Sequence, residues 1–191
     1  MKKSGAVKIV IISIIFVGLI LGYYFYLSNK QPKVEENVTV SAVQEILLKD
    51  ISIAYPPSPK EVVKYYCEIT KCFYNEEYTD EELVQLAKKI QEVYDDELIA
   101  NQTWDNYYQS LKGEIATMKN NGTVISSYAT SSAADVEYYS VDGFDFAKLY
   151  CVFNLRQGTQ MVSTNEVFLL RKDTQGHWKI YGWKLADDEN E

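Results

Sequence analysis

Histidine is almost missing from these 191 residues: His177 stands alone. Any Ser-His-Asp or Cys-His nucleophile arrangement would have to use it. It sits beside a turn, next to Gly176, where an exposed hairpin residue is expected rather than a base. Cysteine is scarce as well. Cys67, Cys72 and Cys151 are three in number, so they cannot all pair within one chain. Cys67 and Cys72 lie on a predicted helix, about 140° apart around its axis and about 7.5 Å along it, and should not bond to each other. Bridging either one to Cys151 stays open, and buried free thiols acting as small hydrophobes are the expectation. A disulfide scaffold and a zinc site of the C-x-x-C kind are excluded.

No glycine-rich phosphate loop occurs among the nine glycines, so nucleotide binding has no sequence support. The acidic runs Glu76-Glu77, Asp80-Glu81-Glu82, Asp95-Asp96-Glu97 and Asp187-Asp188-Glu189 lack the alternating spacing and central Gly of a calcium loop. They read as solvated faces and, at Asp80 to Glu82, as acids suited to a helix N-terminus. No cofactor and no metal are expected. Basic charge is thin too: from Val34 onward fourteen Lys and Arg face twenty-seven Asp and Glu. Such a surface repels nucleic acid and anionic headgroups, which excludes a nucleic-acid partner.

What the chain does have is an apolar beginning. Three lysines fall between Met1 and Lys8, and no charge occurs from Ile9 to Leu27. Those residues reach roughly 28 Å as a helix, close to the hydrocarbon thickness of a bilayer. Ile9 to Ile20 is apolar all round, unlike a core helix. The exit Leu21-Gly22-Tyr23-Tyr24-Phe25-Tyr26-Leu27 places bulky aromatics where a signal peptidase needs small residues, and suits an interfacial aromatic belt. An uncleaved, single-pass signal anchor is therefore expected. Lys2, Lys3 and Lys8 outweigh Lys30 and Lys33, which Glu35 and Glu36 dilute. The positive-inside rule then puts the N-terminus in the cytoplasm and the C-terminal domain outside the cell membrane.

The expected division is a tip and transmembrane anchor over residues 1–28, a tether over 29–42, a soluble domain over 43–186 and an acidic tail over 187–191. Val40 to Ile53 is ambiguous between helix and strand. Ser58 is placed to cap a helix with Pro59 at its first position. Val62, Tyr66, Ile69 and Phe73 then mark one helical face. Thr79 and Glu82 form a capping box opening a second helix, expected from Thr79 to Asp95. A third begins at Thr103 and aligns Trp104, Tyr108, Leu111, Ile115 and Met118. From Thr123 the period changes to two. Ala147, Leu149, Cys151, Phe153 and Leu155 alternate with polar neighbours, and Asp142-Gly143 reads as a hairpin turn. Helices followed by a four-stranded antiparallel meander make an α+β fold. Sixteen tyrosines are the compositional oddity: inward rings fill a core, and outward ones suit contact with a partner.

Leu169-Leu170-Arg171-Lys172, an Asp/Gly turn and His177-Trp178-Lys179-Ile180-Tyr181-Gly182-Trp183 resemble the closing hairpin of the nuclear transport factor 2-like superfamily. Glu61-Val62-Val63-Lys64-Tyr65-Tyr66 after the proline-rich stretch is similar to that superfamily's first helix. The resemblance spans Ser58 to Leu185, and the chain as a whole resembles bacterial single-pass membrane proteins carrying such a domain. It implies a curved sheet wrapped around helices as a cone, with dimerisation through the sheet common. Two functions compete. One is a membrane-anchored, extracytoplasmic, non-catalytic domain that binds an envelope protein or a second copy of itself, with its interior filled. The other is a small-molecule binder or enzyme with an open cone pocket lined by Tyr66, Trp104, Tyr108, Phe153 and Trp183. No catalytic residue is expected.

Overall fold

Local capping chemistry sets where each helix starts. The computed structural model describes Tyr23 and residues Val40–Ala186; the chain divides at Thr39 into two units, and every element below belongs to the second. The helices are α1 (Ala42–Leu48), α2 (Pro59–Asn75), α3 (Asp80–Gln91), α4 (Asp96–Ala100) and α5 (Trp104–Asn120). Ser41, Ser58, Thr79, Asp95 and Thr103 each accept a hydrogen bond from a backbone N–H of the first turn that follows, satisfying donors that the helix leaves orphaned. At Thr79 the box is reciprocal, because Glu82 Oε2 accepts from the Thr79 N–H at 2.8 Å. Ser41 settles the ambiguous segment after Val40 as helix, with Val43 and Ile46 buried.

The strands are β1 (Thr123–Thr130), β2 (Glu137–Val141), β3 (Phe144–Gln157), β4 (Gln160–Lys172) and β5 (Trp178–Leu185), in one antiparallel sheet. β3 is central. From Phe146 to Gln157 it pairs with β4, while its second half pairs with β1 and its first few residues with β2. Asp142 and Gly143 both have positive φ (52° and 82°), the geometry that a two-residue I′ hairpin demands.

Two expectations are corrected. First, among the described residues no helix is long and apolar enough to cross a membrane, so the transmembrane, single-pass, signal-anchor segment is no part of the described fold. The described helices fail as spans for a physical reason. The longest, α2 and α5, have seventeen residues each and are amphipathic, with Lys60, Glu61, Lys64, Glu68 and Lys71 on α2 alone. The run that suggested a span, Ile9 to Leu27, lies outside the described residues except for Tyr23, which is helical and exposed. The tail 187–191 lies outside them as well. Second, the sheet has five strands, not four. Between β1 and β2 the chain leaves the sheet for a 3-10 turn at Ala133–Asp135, where Ser132 Oγ donates to Asp135 Oδ2 at 2.7 Å. It then resumes along the same edge of β3, which is fourteen residues long and accommodates both.

The core lies between the helices and one face of the sheet. Ala147, Leu149, Cys151 and Phe153 point inward from β3, with Ile125 from β1 and Phe168, Leu170 and Ile180 from β4 and β5. Val62, Val63, Ile69 and Phe73 of α2 meet them. All three cysteines are free and buried. A third difference concerns α3, which stops at Gln91 rather than Asp95. Val93 to Asp95 instead runs beside β5: Ile180 N–H donates to the Val93 carbonyl at 2.8 Å, and Asp95 N–H to the Ile180 carbonyl at 2.9 Å.

Candidate functional site

Helical spacing hollows the centre of this domain. Tyr66, Thr70, Phe73 and Tyr74 follow one another at four, three and one residues along α2, so they share a face. On α5, Tyr107, Leu111, Glu114 and Met118 do the same. With Tyr94, Leu98 and Ile99 from the α3–α4 stretch they roof a cavity of about 410 Å³. Its floor is the inward face of the sheet, including Phe153, Leu155, Thr164, Glu166 and Trp183. That size is within the usual range for small-molecule pockets.

One wall is aromatic. The Tyr66 ring meets Phe168 edge-on at 5.2 Å and Trp183 at 5.3 Å, while Tyr94 lies 5.6 Å from Trp183. Two of the hydroxyls around the hollow donate within the protein. Thr70 Oγ1 donates to the Tyr66 carbonyl at 2.9 Å. The Tyr74 hydroxyl donates to Glu114 Oε1.

Glu166 stands apart because its partnerless oxygen is buried. Register places it on the inward face, opposite Cys151 on β3 and between Thr164 and Phe168 on its own strand. Its Oε2 is buried and has no hydrogen-bond partner. Such an orphan in a folded interior costs free energy and calls for an explanation. Burial, and then repulsion from Glu114, push its carboxyl up to about 7. The Tyr65 hydroxyl is likewise buried and unpartnered, but it does not line the cavity. None of the lining residues is basic.

Of the residues picked from sequence, Tyr66, Phe153 and Trp183 line the hollow. Trp104 and Tyr108 do not. They stack on each other at 5.7 Å, nearly parallel, beneath the Lys88 and Lys112 ammonium groups. Adjacent helical residues point about 100° apart, and α5 is turned so that Tyr107 rather than Tyr108 faces inward. Sequence reasoning missed Glu166 although its signal was present. Counting back by twos from Leu170 and Phe168 puts Glu166 and Thr164 on the core face. Tyr74, Tyr94, Tyr107 and Glu114 carry no comparable local mark. His177 stacks on Tyr55 at 4.3 Å, by the Asp173 turn and away from the cavity.

The sheet's outer face carries a second, shallower groove of about 350 Å³ between Tyr139, Lys148, Val167, Leu169 and Gly182. Tyr139 stacks there on Phe146, which meets Tyr181 edge-on.

Fold and site together define an α+β domain with a ligand-sized cavity bearing a half-buried carboxylate. The chain belongs to the family described as Domain of unknown function (DUF6715), whose model matches residues 1–183. A comparison with curated proteins found no match.

Proposed function

We propose that this chain is a non-catalytic small-molecule-binding protein whose ligand occupies the cavity between α2, α5 and the sheet. One observation carries the reading: the hollow is lined from both layers, yet Glu166 inside it holds a buried oxygen with no protein partner. A domain selected only for stability fills such a space. The resemblance to the nuclear transport factor 2-like superfamily supports the same reading, because a sheet wrapped on helices leaves room at this place.

Titration with N-phenylnaphthylamine, whose emission rises in apolar surroundings, tests it. The full chain should give saturable emission at one site, and Thr164→Phe combined with Thr70→Phe should abolish it while the circular dichroism stays native. Non-saturable emission, or emission unchanged in the folded filled variant, overturns the proposal.

A second reading, an enzyme using Glu166 as general base, is favoured by its pKa near 7, which matches the operating range of such a group. Incubating a small-molecule extract with wild type and Glu166→Gln separates the two. Consumption of a compound by the wild type alone favours catalysis, whereas recovery of the same compound unchanged from both favours binding.

A further inference from the structure

The lining says what kind of molecule fits. Two carboxylates, Glu114 and Glu166, face the cavity, and no lysine, arginine or histidine does. An anionic ligand would add a third negative charge to a half-desolvated space, where repulsion is poorly screened. A hydrocarbon would leave Glu166 Oε2 as unpaired as before. A neutral alcohol could donate to that oxygen but would do nothing for the repulsion between Glu114 and Glu166. A cation with N–H donors does both. A bare metal ion fits less well, since no cluster of three or more metal-ligating side chains occurs among the described residues.

The walls favour the same class. Tyr66, Tyr94 and Trp183 pack against one another on the cavity that holds both carboxylates, and aromatic faces attract cations within about 6 Å of the ring centroid. Tyr66, Phe73, Leu111 and Phe153 give an apolar body something to bury against.

We propose that the cavity takes an organic amine, with its ammonium group paired to Glu166 and its apolar body packed among Tyr66, Phe153 and Trp183. This rests on the small-molecule-binding reading above. The ligand is selected for positive charge, and Glu166 is the residue that selects it.

The titratable groups facing Glu166 come from every element packed against it. Tyr66, Cys67 and Tyr74 project from α2, Glu114 and Tyr107 from α5, Tyr94 from the α3–α4 stretch and Cys151 from β3. Burial raises Tyr66, Cys67, Tyr74, Tyr94 and Tyr107 further from neutrality, so they stay uncharged. Glu166 itself, held near 7, supplies the pH response: its ionised form binds the amine, and affinity rises with pH.

Three probes of one size test the charge: naphthylmethylamine, naphthylmethanol and naphthoic acid, each titrated into the full chain by calorimetry. The amine should bind at least about tenfold tighter than the alcohol, and the acid should not bind. The amine's affinity should rise about tenfold between pH ~6 and pH ~8, as a site ionising near 7 requires. Glu166→Gln should weaken the amine about tenfold or more, remove its pH dependence and leave the alcohol within about twofold. Equal binding of amine and alcohol, or an amine affinity indifferent to Glu166→Gln, overturns the charge selection. If the probes then still compete with N-phenylnaphthylamine, the pocket survives without it. Failure of every probe, N-phenylnaphthylamine included, removes both.

Discussion

Arg171 on β4 grips Asp95, the N-cap of α4, with two parallel hydrogen bonds: Nη2 to Oδ1 at 2.6 Å and Nε to Oδ2 at 2.9 Å. The Asp95 side chain is 5% exposed and that of Arg171 14%, so the pair is largely desolvated. Asp95 Oδ1 also accepts from the Glu97 N–H, and Arg171 Nη1 reaches Glu97 Oε1 at 2.7 Å. One carboxylate thus caps a helix and ties it to the sheet.

Removing one partner of such a pair strands the other's charge. Asp95→Ala should cost about 3 kcal/mol or more in urea unfolding, whereas Asp95→Ala with Arg171→Met should cost clearly less than the two changes summed. Additive losses would mean that the pair is not coupled.

Glu166 makes the domain's stability depend on pH in an unusual direction. Its folded pKa is raised from 4.5 to about 7, so the neutral form favours folding. That contribution is complete below 4.5 and is lost as pH rises through 7. Partial solvation of the carboxyl keeps the loss to on the order of 1–2 kcal/mol. Ligand-free wild type should therefore lose stability relative to Glu166→Gln between pH ~5 and ~8, as read from paired denaturation curves. Parallel curves would contradict it.

The thiols should be silent in the folded state. Cys67 and Cys151 are fully buried with their Sγ atoms 3.5 Å apart, and burial drives the Cys67 pKa upward. Cys72 is pushed up to about 11. Only thiolates attack disulfide reagents, so a chromogenic disulfide should label three thiols in urea and almost none in native buffer. Fast labelling of native protein would show that the α2–β3 contact opens readily.

The Thr79 capping box is exposed, so its contribution can be read without packing effects. Thr79→Ala should destabilise by about 1 kcal/mol, and Thr79→Ser should recover most of it. Loss of the cap also frees Glu82, which accepts from Gln44 Nε2 of α1 at 2.6 Å. A shift below about 0.3 kcal/mol would mean that the box adds little.

Signals within four residues of one another were readable from sequence alone. Ser58-Pro59, Thr79 with Glu82, Thr103 and Asp142-Gly143 each act through the backbone beside them. Contacts between distant segments were not readable. Val93 to Asp95 reads as helix by composition, yet it pairs with Ile180 because Arg171 and the β5 edge attract it. Choosing Tyr107 over Tyr108 as the inward ring needs the rotation of α5, which packing decides. The break between β1 and β2 depends on the length of β3. Glu166 was hidden differently: its alternation with Phe168 and Leu170 was plain, but a carboxylate is not the residue one looks for on a core face.

The pairing of Val93 to Asp95 with Ile180 has a consequence for assembly. An unpaired border strand is a template that another polypeptide can lengthen. At Ile180 the chain has occupied that template itself and locked it with the Asp95–Arg171 clasp. A second copy cannot extend the sheet there without unfastening an ion pair from its socket. The chain seals its own seam at that point, and a partner must meet it elsewhere.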